Sequence, residues 1–365
     1  MNAIVLHDYF ELAEGGGRLC LELACGLGAD LGYGFKAGNH PFFVSGRFAG
    51  TEYQVSSQVR LPVWRQLCLS RDFAGNTGFL ADYATVLYSG SYSPLAVQNH
   101  GSRQNIYYCH TPPRFIYDQQ DFFLSLIPVW QRPVLRGFNS SFRPKYERAV
   151  AEMDVIVANS TTVQGRIKKY LGLNSTIVHP PCDLNKYNWQ EPKGFFLSTA
   201  RLDPLKRVDV IVRAFQRLPD RKLVVVSGGS EFKHIVRLAD GFDNIEVLGW
   251  VDEKMLQNLL STCLATVYIP KEEDFGMSPV ESMAAGKPVI GVAEGGLLET
   301  VVDGETGLLL PAGAVSEDML CQAVDRFTRK TVTDMKEACQ RRAALFSQDI
   351  FLQKMKAVIA GPGGR

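Results

Sequence analysis

Short apolar runs rich in β-branched residues alternate along this chain with longer stretches whose apolar positions recur every three to four residues. The first pattern predicts buried strands and the second amphipathic helices. Residues 3–6, 85–88, 106–109, 155–158 and 176–178 read as strands of a first unit. Residues 195–200, 223–226, 245–248, 265–269, 289–292 and 307–310 read as strands of a second. Between them, 17–27, 161–171, 208–218, 253–261 and 297–302 have helical period. Strands that are apolar on both faces and alternate with helices predict parallel sheets covered on both sides, so the fold class is α/β. Residues 179–194 (HPPCDLNKYNWQEPKG) interrupt the pattern with three prolines and polar turn formers, which predicts the link between two domains. Residues 350–359 are again amphipathic, and the glycine-rich end 361–365 should fray.

Composition narrows the function classes. A chain of 365 residues, 46% hydrophobic and 21% charged, has room for two cores and is neither disordered nor collagen-like. Lys+Arg 39 against Asp+Glu 38 leaves a net charge of +1. That balance lacks the basic excess of a nucleic-acid binder, so no nucleic-acid partner is expected and an anionic ligand needs a local site. The 8 cysteines form no C-x-x-C pair, which predicts reduced, mostly buried thiols. The 6 histidines lack ligand spacing and no D-x-D occurs, so no metal is expected. Residues 1–17 read as a first strand rather than a signal peptide, and no run approaches the roughly 18 apolar residues of a spanning helix. The expected location is the cytoplasm, with peripheral contact on the inner face of the membrane left open. Residues 26–34 (GLGADLGYG) follow a helix instead of a strand, which argues against the dinucleotide loop of a dehydrogenase.

Two segments of the second unit carry ionic chemistry. Residues 195–215 run from an apolar strand through a loop into an amphipathic helix. Arg201 falls at the carboxyl end of the strand, where open α/β sheets bind ligands, and Lys206 follows near the helix start. Two cations beside a helix N-terminus suit a diphosphate. A plain Asp203-Pro204 helix cap with solvated basic neighbours is the simpler alternative. Residues 271–296 carry Glu273 and Glu281 with seven residues between them. There Phe275-Gly276 predict a loop, Ser278 an N-cap, Pro279 the first helical residue and Gly286 the helix end. Glu281 then lies in the first turn and Glu273 in the loop. A Ser278–Glu281 capping box would account for Glu281, but for neither Glu273 nor Gly276. Gly295-Gly296 predict one more bare helix start able to approach phosphate.

Signals in the first unit are looser. Glu14-Gly15-Gly16-Gly17 precede a helical run, where glycines either admit a ligand to the backbone or merely turn the chain. His110 stands just past an apolar strand, ahead of Pro112-Pro113. Asn159-Ser160 follow another strand, either at a crevice or as a helix cap. Residues 60–71 and 129–148 interleave Arg60, Arg65, Arg71, Arg132, Arg136, Arg143, Lys145 and Arg148 with Trp and aliphatic residues. That mixture suits an anionic membrane interface or an ordinary solvated helix face.

The pair Arg201/Lys206, the pair Glu273/Glu281 within EEDFGMSPVESMAAG and the stretch GGLLETVVDGETGLLL, in this order and spacing, resemble the retaining glycosyltransferases of family 4. The resemblance runs over nearly the whole chain and is most specific in the second half. It implies the GT-B architecture, two Rossmann-like α/β/α domains facing a central cleft. Residues 1–185, with a C-terminal helix from about 346 to 365, would form the acceptor domain, and 190–345 the nucleotide-sugar domain. The resemblance assigns Arg201 and Lys206 to the donor diphosphate, Glu281 to the ribose hydroxyls and Glu273 to the donor sugar. Phe275, Gly276, Met277 and Ser278 would complete the donor loop, with Gly16 and Gly17 also on the donor. His110 would face the transferred sugar, and Arg114, Asn159 and Ser160 would lie toward the acceptor. EDFGMSPVE and YCHTPPR are more similar to bacterial GDP-mannose-dependent α-mannosyltransferases of surface polysaccharide or lipid-linked oligosaccharide synthesis than to UDP-sugar users, with a UDP-sugar-dependent enzyme of the same family as the alternative. The implied activity is metal-independent, cofactor-free transfer of a hexose, mannose first among them, to a glycan or lipid-linked saccharide. Same-face attack and a carboxylate-bound intermediate both remain open as routes to retention. A UDP-N-acetylglucosamine 2-epimerase would share the architecture, and a non-enzymatic nucleotide binder the scaffold; the four intact ionic residues speak against the latter.

Overall fold

A computed structural model describes residues 2–11, 15–38, 40, 43, 48–101 and 103–361. Glu14 of the glycine loop and residues 362–365 of the glycine-rich end lie outside the described residues. The chain divides into two units, residues 1–179 with 351–365, and residues 180–350.

The first unit is built on strands Ala3–His7 (β1), Asp30–Tyr33 (β2), Glu52–Gln54 (β3), Thr85–Ser89 (β4), Gln104–Cys109 (β5), Val155–Ala158 (β6) and Thr176–Ile177 (β7). They pair in parallel in the order β3-β2-β1-β4-β5-β6-β7. Strand alternation sends Ile4, Leu6, Val86 and Tyr88 into a core on one face and Ala3, Val5, Leu87 and Tyr108 into a core on the other. Both faces are therefore covered, and every residue of β1 is buried.

Strands β2 and β3 are absent from the sequence expectation for a physical reason. Strand β2 contains Gly32, where an added Cβ would overlap the Leu6 side chain, so the glycine makes room for β1 at the expense of strand propensity. Strand β3 is three residues long with a largely exposed face, and gives no hydrophobic signal.

The second unit carries Phe195–Ser198 (β8), Lys222–Val226 (β9), Ile245–Gly249 (β10), Thr266–Val267 (β11), Val289–Val292 (β12) and Gly307–Leu310 (β13). Their order is β10-β9-β8-β11-β12-β13, again parallel. The helix Val208–Gln216 buries Val208, Ile211, Val212, Ala214 and Phe215 against this sheet. Strand β11 is shorter than the run 265–269, and the expected helix 297–302 is the single turn Leu297–Thr300.

The segment expected to link the domains belongs to the second unit from residue 180 onward. Cys182 N–H donates to Phe346 O at 2.7 Å, Gln190 N–H to Ser261 O at 3.1 Å and Lys193 N–H to Thr262 O at 2.8 Å. Lys287 is 0% exposed, donates from Nζ to Gln190 O at 2.6 Å and stands 4.8 Å from the Trp189 ring centre. Burial lowers its pKa to about 8. These contacts move the boundary to residues 179/180, ahead of the expected 185–190.

At the other end, the helix Gln348–Ala360 joins the first unit from Phe351, later than the expected start near 346. Its Phe351, Met355 and Ile359 enter the core that also holds Leu19 and Leu23 of the helix Gly15–Leu27. Gly26 lies beneath Leu352 with no space for a Cβ.

Candidate active site

In an open parallel sheet, ligands bind outside the carboxyl ends of the strands where the strand order reverses. In the second sheet that point lies between β8 and β11. The loop after β8 delivers Lys206, at the end of the 3₁₀ turn Pro204–Lys206. Beyond β11 come Tyr268 and Glu273. Lys206 Nζ donates to Glu273 Oε2 at 2.5 Å and to Tyr268 Oη at 3.2 Å. Burial alone would lower the Lys206 pKa, but Tyr268 and Glu273 outweigh it and hold the ammonium well above its ordinary value. Burial, followed by the Glu273 charge, raises the Tyr268 phenol. The two expected site residues Lys206 and Glu273 are thus brought together, and Tyr268 is a third member that sequence reasoning missed.

Arg201 is placed differently. It lies three residues beyond β8, 42% exposed in its side chain and ion-paired with Asp203. Asp203 also accepts from Ser230 Oγ at 3.1 Å, so this carboxylate ties two loops together and makes no side-chain cap of its own turn. Its neighbour Arg207 is absorbed by structure. In the left-handed region at φ 54°, it donates to Ile269 O at 2.6 Å and Pro270 O at 2.8 Å and pairs with Glu294 at 2.9 Å.

The loop holding Glu273 has a cap other than the expected one. The helix runs Met277–Ala284 with Gly276 as N-cap at φ 94°, so Ser278 is its second residue and Pro279 its third. Ser278 is not the N-cap, and Glu281 falls past the first turn. Gly276 starts the helix early because its positive φ turns the chain where a side chain would be strained. The Phe275 ring is 2% exposed and packs edge-on against Phe346 at 5.4 Å, so this expected donor contact is a core residue. Met277, Ser278 and Glu281 are half-buried.

Gly295-Gly296 have a structural duty. A Cβ on Gly295 would overlap the Glu273 carbonyl oxygen, and one on Gly296 the Cα of Phe275. Gly296 N–H donates to Glu273 O at 2.8 Å. The glycines seat the Glu273 loop, and the helix that follows is the single turn Leu297–Thr300.

In the first sheet the order reverses between β1 and β4. His7 and Ser89 end these strands as direct neighbours in register, and His110 follows β5. Ser89 Oγ lies 2.7 Å from His110 Nε2. A Cβ on Gly16 would stand 3.5 Å from the same nitrogen, and one on Gly17 would stand 3.7 Å from His7 Nε2. Gly16, Gly17 and His110 therefore form one cluster. Burial lowers the pKa of His110 to about 4, and that of His7 to about 3 with His110 and His40 adding to it, so both rings are neutral near pH 7. Asp8, next after β1, accepts from the N–H groups of Ser91, Tyr92 and Ser93 at 2.5–2.8 Å and pins the loop beyond Ser89. Burial pushes its carboxyl up to about 6 against those three bonds.

The expected acceptor-side residues divide. Arg114 pairs with Asp118 at 2.7 Å. Ser160 caps the helix Thr161–Leu171, its Oγ accepting from Val163 N–H at 3.0 Å. Asn159 is buried, and its Oδ1 has no hydrogen-bond partner. A buried orphan acceptor at the end of β6 calls for a ligand or water.

The basic, aromatic segments form the helices Pro62–Gly75 and Arg132–Ala151. Trp64 is 60% and Trp130 74% exposed, and Leu61, Val129 and Val134 are also exposed. An open cavity of about 620 Å³ lies between these helices, with Leu67 and Phe138 among its walls and Arg71, Lys145 and Arg148 among its cations. Among the described residues no helix is long and apolar enough to cross a membrane.

Residues 183–345 match the family model for glycosyl transferases group 1. The chain is 27% identical over 250 residues to the alpha-1,3/1,6-mannosyltransferase ALG2 of Dictyostelium discoideum, covering 56% of this chain and 57% of that protein. It is 34% identical over 161 residues to the D-inositol 3-phosphate glycosyltransferase of Mycobacterium leprae, covering 41% and 37%. The chain spans about half the length of the curated relatives it matches. Among solved structures it is similar to Anabaena Alr3699/HepE in complex with UDP and glucose, with a TM-score of 0.78, 15% identity and coverage of 99% and 100%. The sucrose-phosphate synthase of Thermosynechococcus elongatus aligns with a TM-score of 0.78, 18% identity and coverage of 98% of each chain.

Proposed function

We propose that the protein, whose residues 183–345 match the family model for glycosyl transferases group 1 and whose two parallel-sheet units have the GT-B fold, transfers mannose from GDP-mannose, with retention, to a glycan or lipid-linked saccharide. The observation that carries this reading is the cluster Lys206–Tyr268–Glu273 at the switch point of the second sheet. Loss of a nucleoside diphosphate from an anomeric carbon builds negative charge on the leaving oxygens. An ammonium has three donors, and Glu273 and Tyr268 take two of those on Lys206, so the third can meet a phosphate oxygen. A fixed donor aimed at developing charge is worth about 2.7–4 kcal/mol. Side-chain cations in place of a metal make the reaction metal-independent in this proposal. Mannose as the sugar is supported by the likeness to mannosyltransferases. The acceptor half would use the neutral His110 beside Gly16, with the orphan Asn159 Oδ1 receiving an acceptor hydroxyl.

Thermal-shift measurements against GDP-, UDP- and ADP-sugars test the donor, since a ligand that favours the folded state raises its melting temperature. GDP-mannose should give the largest rise and EDTA should leave transfer unchanged. A rise with UDP-sugars alone would reassign the donor, strong inhibition by EDTA would overturn metal independence, and no rise with any nucleotide sugar would end the reading.

The basic face bearing Trp64 and Trp130 is the natural seat for an anionic membrane carrying a lipid-linked acceptor. Sedimentation with phosphatidylglycerol vesicles should pull the protein down, and phosphatidylcholine vesicles should not. Equal behaviour with both would reduce the face to a solvated helix surface.

A further inference from the structure

Four side chains from four different segments meet at the switch point of the first sheet. Ser89 Oγ is their hub, 2.7 Å from His110 Nε2, 2.9 Å from Cys20 Sγ and 3.4 Å from His7 Nδ1. Cys20 Sγ lies 3.3 Å from His7 Nδ1 as well. Ser89 is 1% exposed, Cys20 0% and His7 8%, so among these four only His110 reaches partial exposure. Nothing in the proposed function uses Ser89, Cys20 or His7.

The protons in this cluster have a preferred order. The Cys20 thiol is a donor, because burial pushes its pKa up to about 12, and its S–H points to Ser89 Oγ. With that lone pair occupied, the single Ser89 proton goes either to His7 Nδ1 or to His110 Nε2. We assign it to the shorter contact, 2.7 Å to His110 Nε2 against 3.4 Å to His7 Nδ1. A nitrogen that accepts carries no proton, and a neutral imidazole has its one proton on the other nitrogen. His7, through Nδ1, supports Cys20 and Ser89 from behind.

We infer that Ser89 is a positioning residue for His110, oriented by Cys20 and His7, and that it fixes the His110 ring in the tautomer with the proton on Nδ1. The ring then offers a hydrogen-bond donor, rather than an acceptor, to an oxygen of the sugar or acceptor. This rests on the reading of the first-sheet switch point as part of a sugar-transfer site. It adds which atom of the histidine acts, in which protonation state, and what holds it there.

Two measurements decide it. The first is imidazole ¹⁵N NMR on the wild-type protein labelled at histidine. The His110 resonances should report a protonated Nδ1 and a bare Nε2, and Ser89→Ala should move them toward the Nε2–H form that imidazole prefers in water. A wild-type His110 protonated on Nε2 would overturn the inference. The second is a double-mutant cycle on transfer. Ser89→Ala should lower kcat about tenfold, the loss that one ordinary hydrogen bond accounts for, with the melting-temperature rise from nucleotide sugar unchanged. In a His110→Ala background the same substitution should cost nothing further, because a residue acting through another has no effect once that other is gone. An undiminished tenfold loss in that background, or no loss in the wild-type one, would overturn the inference. Should the wild-type protein transfer no sugar, the functional reading falls, while the NMR arm still decides the tautomer.

Discussion

Lys206→Ala should lower turnover about 100-fold or more while the second unit stays folded. The expectation follows from the geometry around the ammonium. Its nearest partner, Glu273, has a side chain only 15% exposed, and Lys206 is its salt-bridge partner in the described structure. Two roles for the lysine are therefore on offer. It stabilises the leaving diphosphate, or it only neutralises a half-buried carboxylate. Removing one member of such a pair leaves the other charge uncompensated, so a stability loss on its own fits either role. A second background separates them. Glu273→Gln removes the charge that needs neutralising and keeps the side-chain shape. In that background, Lys206→Ala should still cost about 100-fold in kcat if the lysine acts on the leaving group. If it costs only melting temperature in the wild-type background and nothing in the Glu273→Gln one, Lys206 is a structural counter-ion and the diphosphate assignment fails. Steady-state kinetics with unfolding curves for the four proteins measure both quantities.

The order in which these residues become visible has a physical basis. Strands such as Val289–Val292 and helices such as Thr161–Leu171 announce themselves through local periodicity, and the structure has them at the expected residues. The Glu273 loop was legible because a Gly-Pro-flanked acidic turn is a local pattern. Ser89, Tyr268 and Asp8 carried no such mark. Each works through a partner far away in sequence: Ser89 through His110, Tyr268 through Lys206, Asp8 through the N–H groups of Ser91–Ser93. A serine at a strand end is unremarkable until the sheet order sets it beside a particular histidine. Misplaced expectations have the same origin. Ser278 is a good N-cap by type, yet Gly276 holds the positive φ that starts the helix two residues earlier. Gly295-Gly296 read as an anion-binding helix start; that they also accommodate the backbone of another loop is something no local pattern reveals.

That last observation yields the second large effect. Gly296→Ala should cut turnover by about 100-fold, the typical consequence of displacing a site group by an ångström. Its Cβ would collide with the Phe275 Cα, a backbone atom that cannot swing aside as a side-chain tip would. Phe275 itself is anchored by its ring against Phe346, so the loop must yield on its other side, toward Glu273. Gly296 N–H, now bonded to Glu273 O, moves with it. The displacement thus reaches the carboxylate paired with Lys206 without touching either charged group. Overpacking of this kind costs about 1–3 kcal/mol of stability, enough to lower the melting temperature and leave the protein folded at room temperature. Gly165→Ala is the matched control. Gly165 lies within the helix Thr161–Leu171 with open space where its Cβ would go, and alanine there should stabilise by about 0.5–1 kcal/mol with activity unchanged. A Gly296→Ala protein with wild-type turnover would mean that the Glu273 loop tolerates displacement, and the close seating of that loop would have no bearing on catalysis.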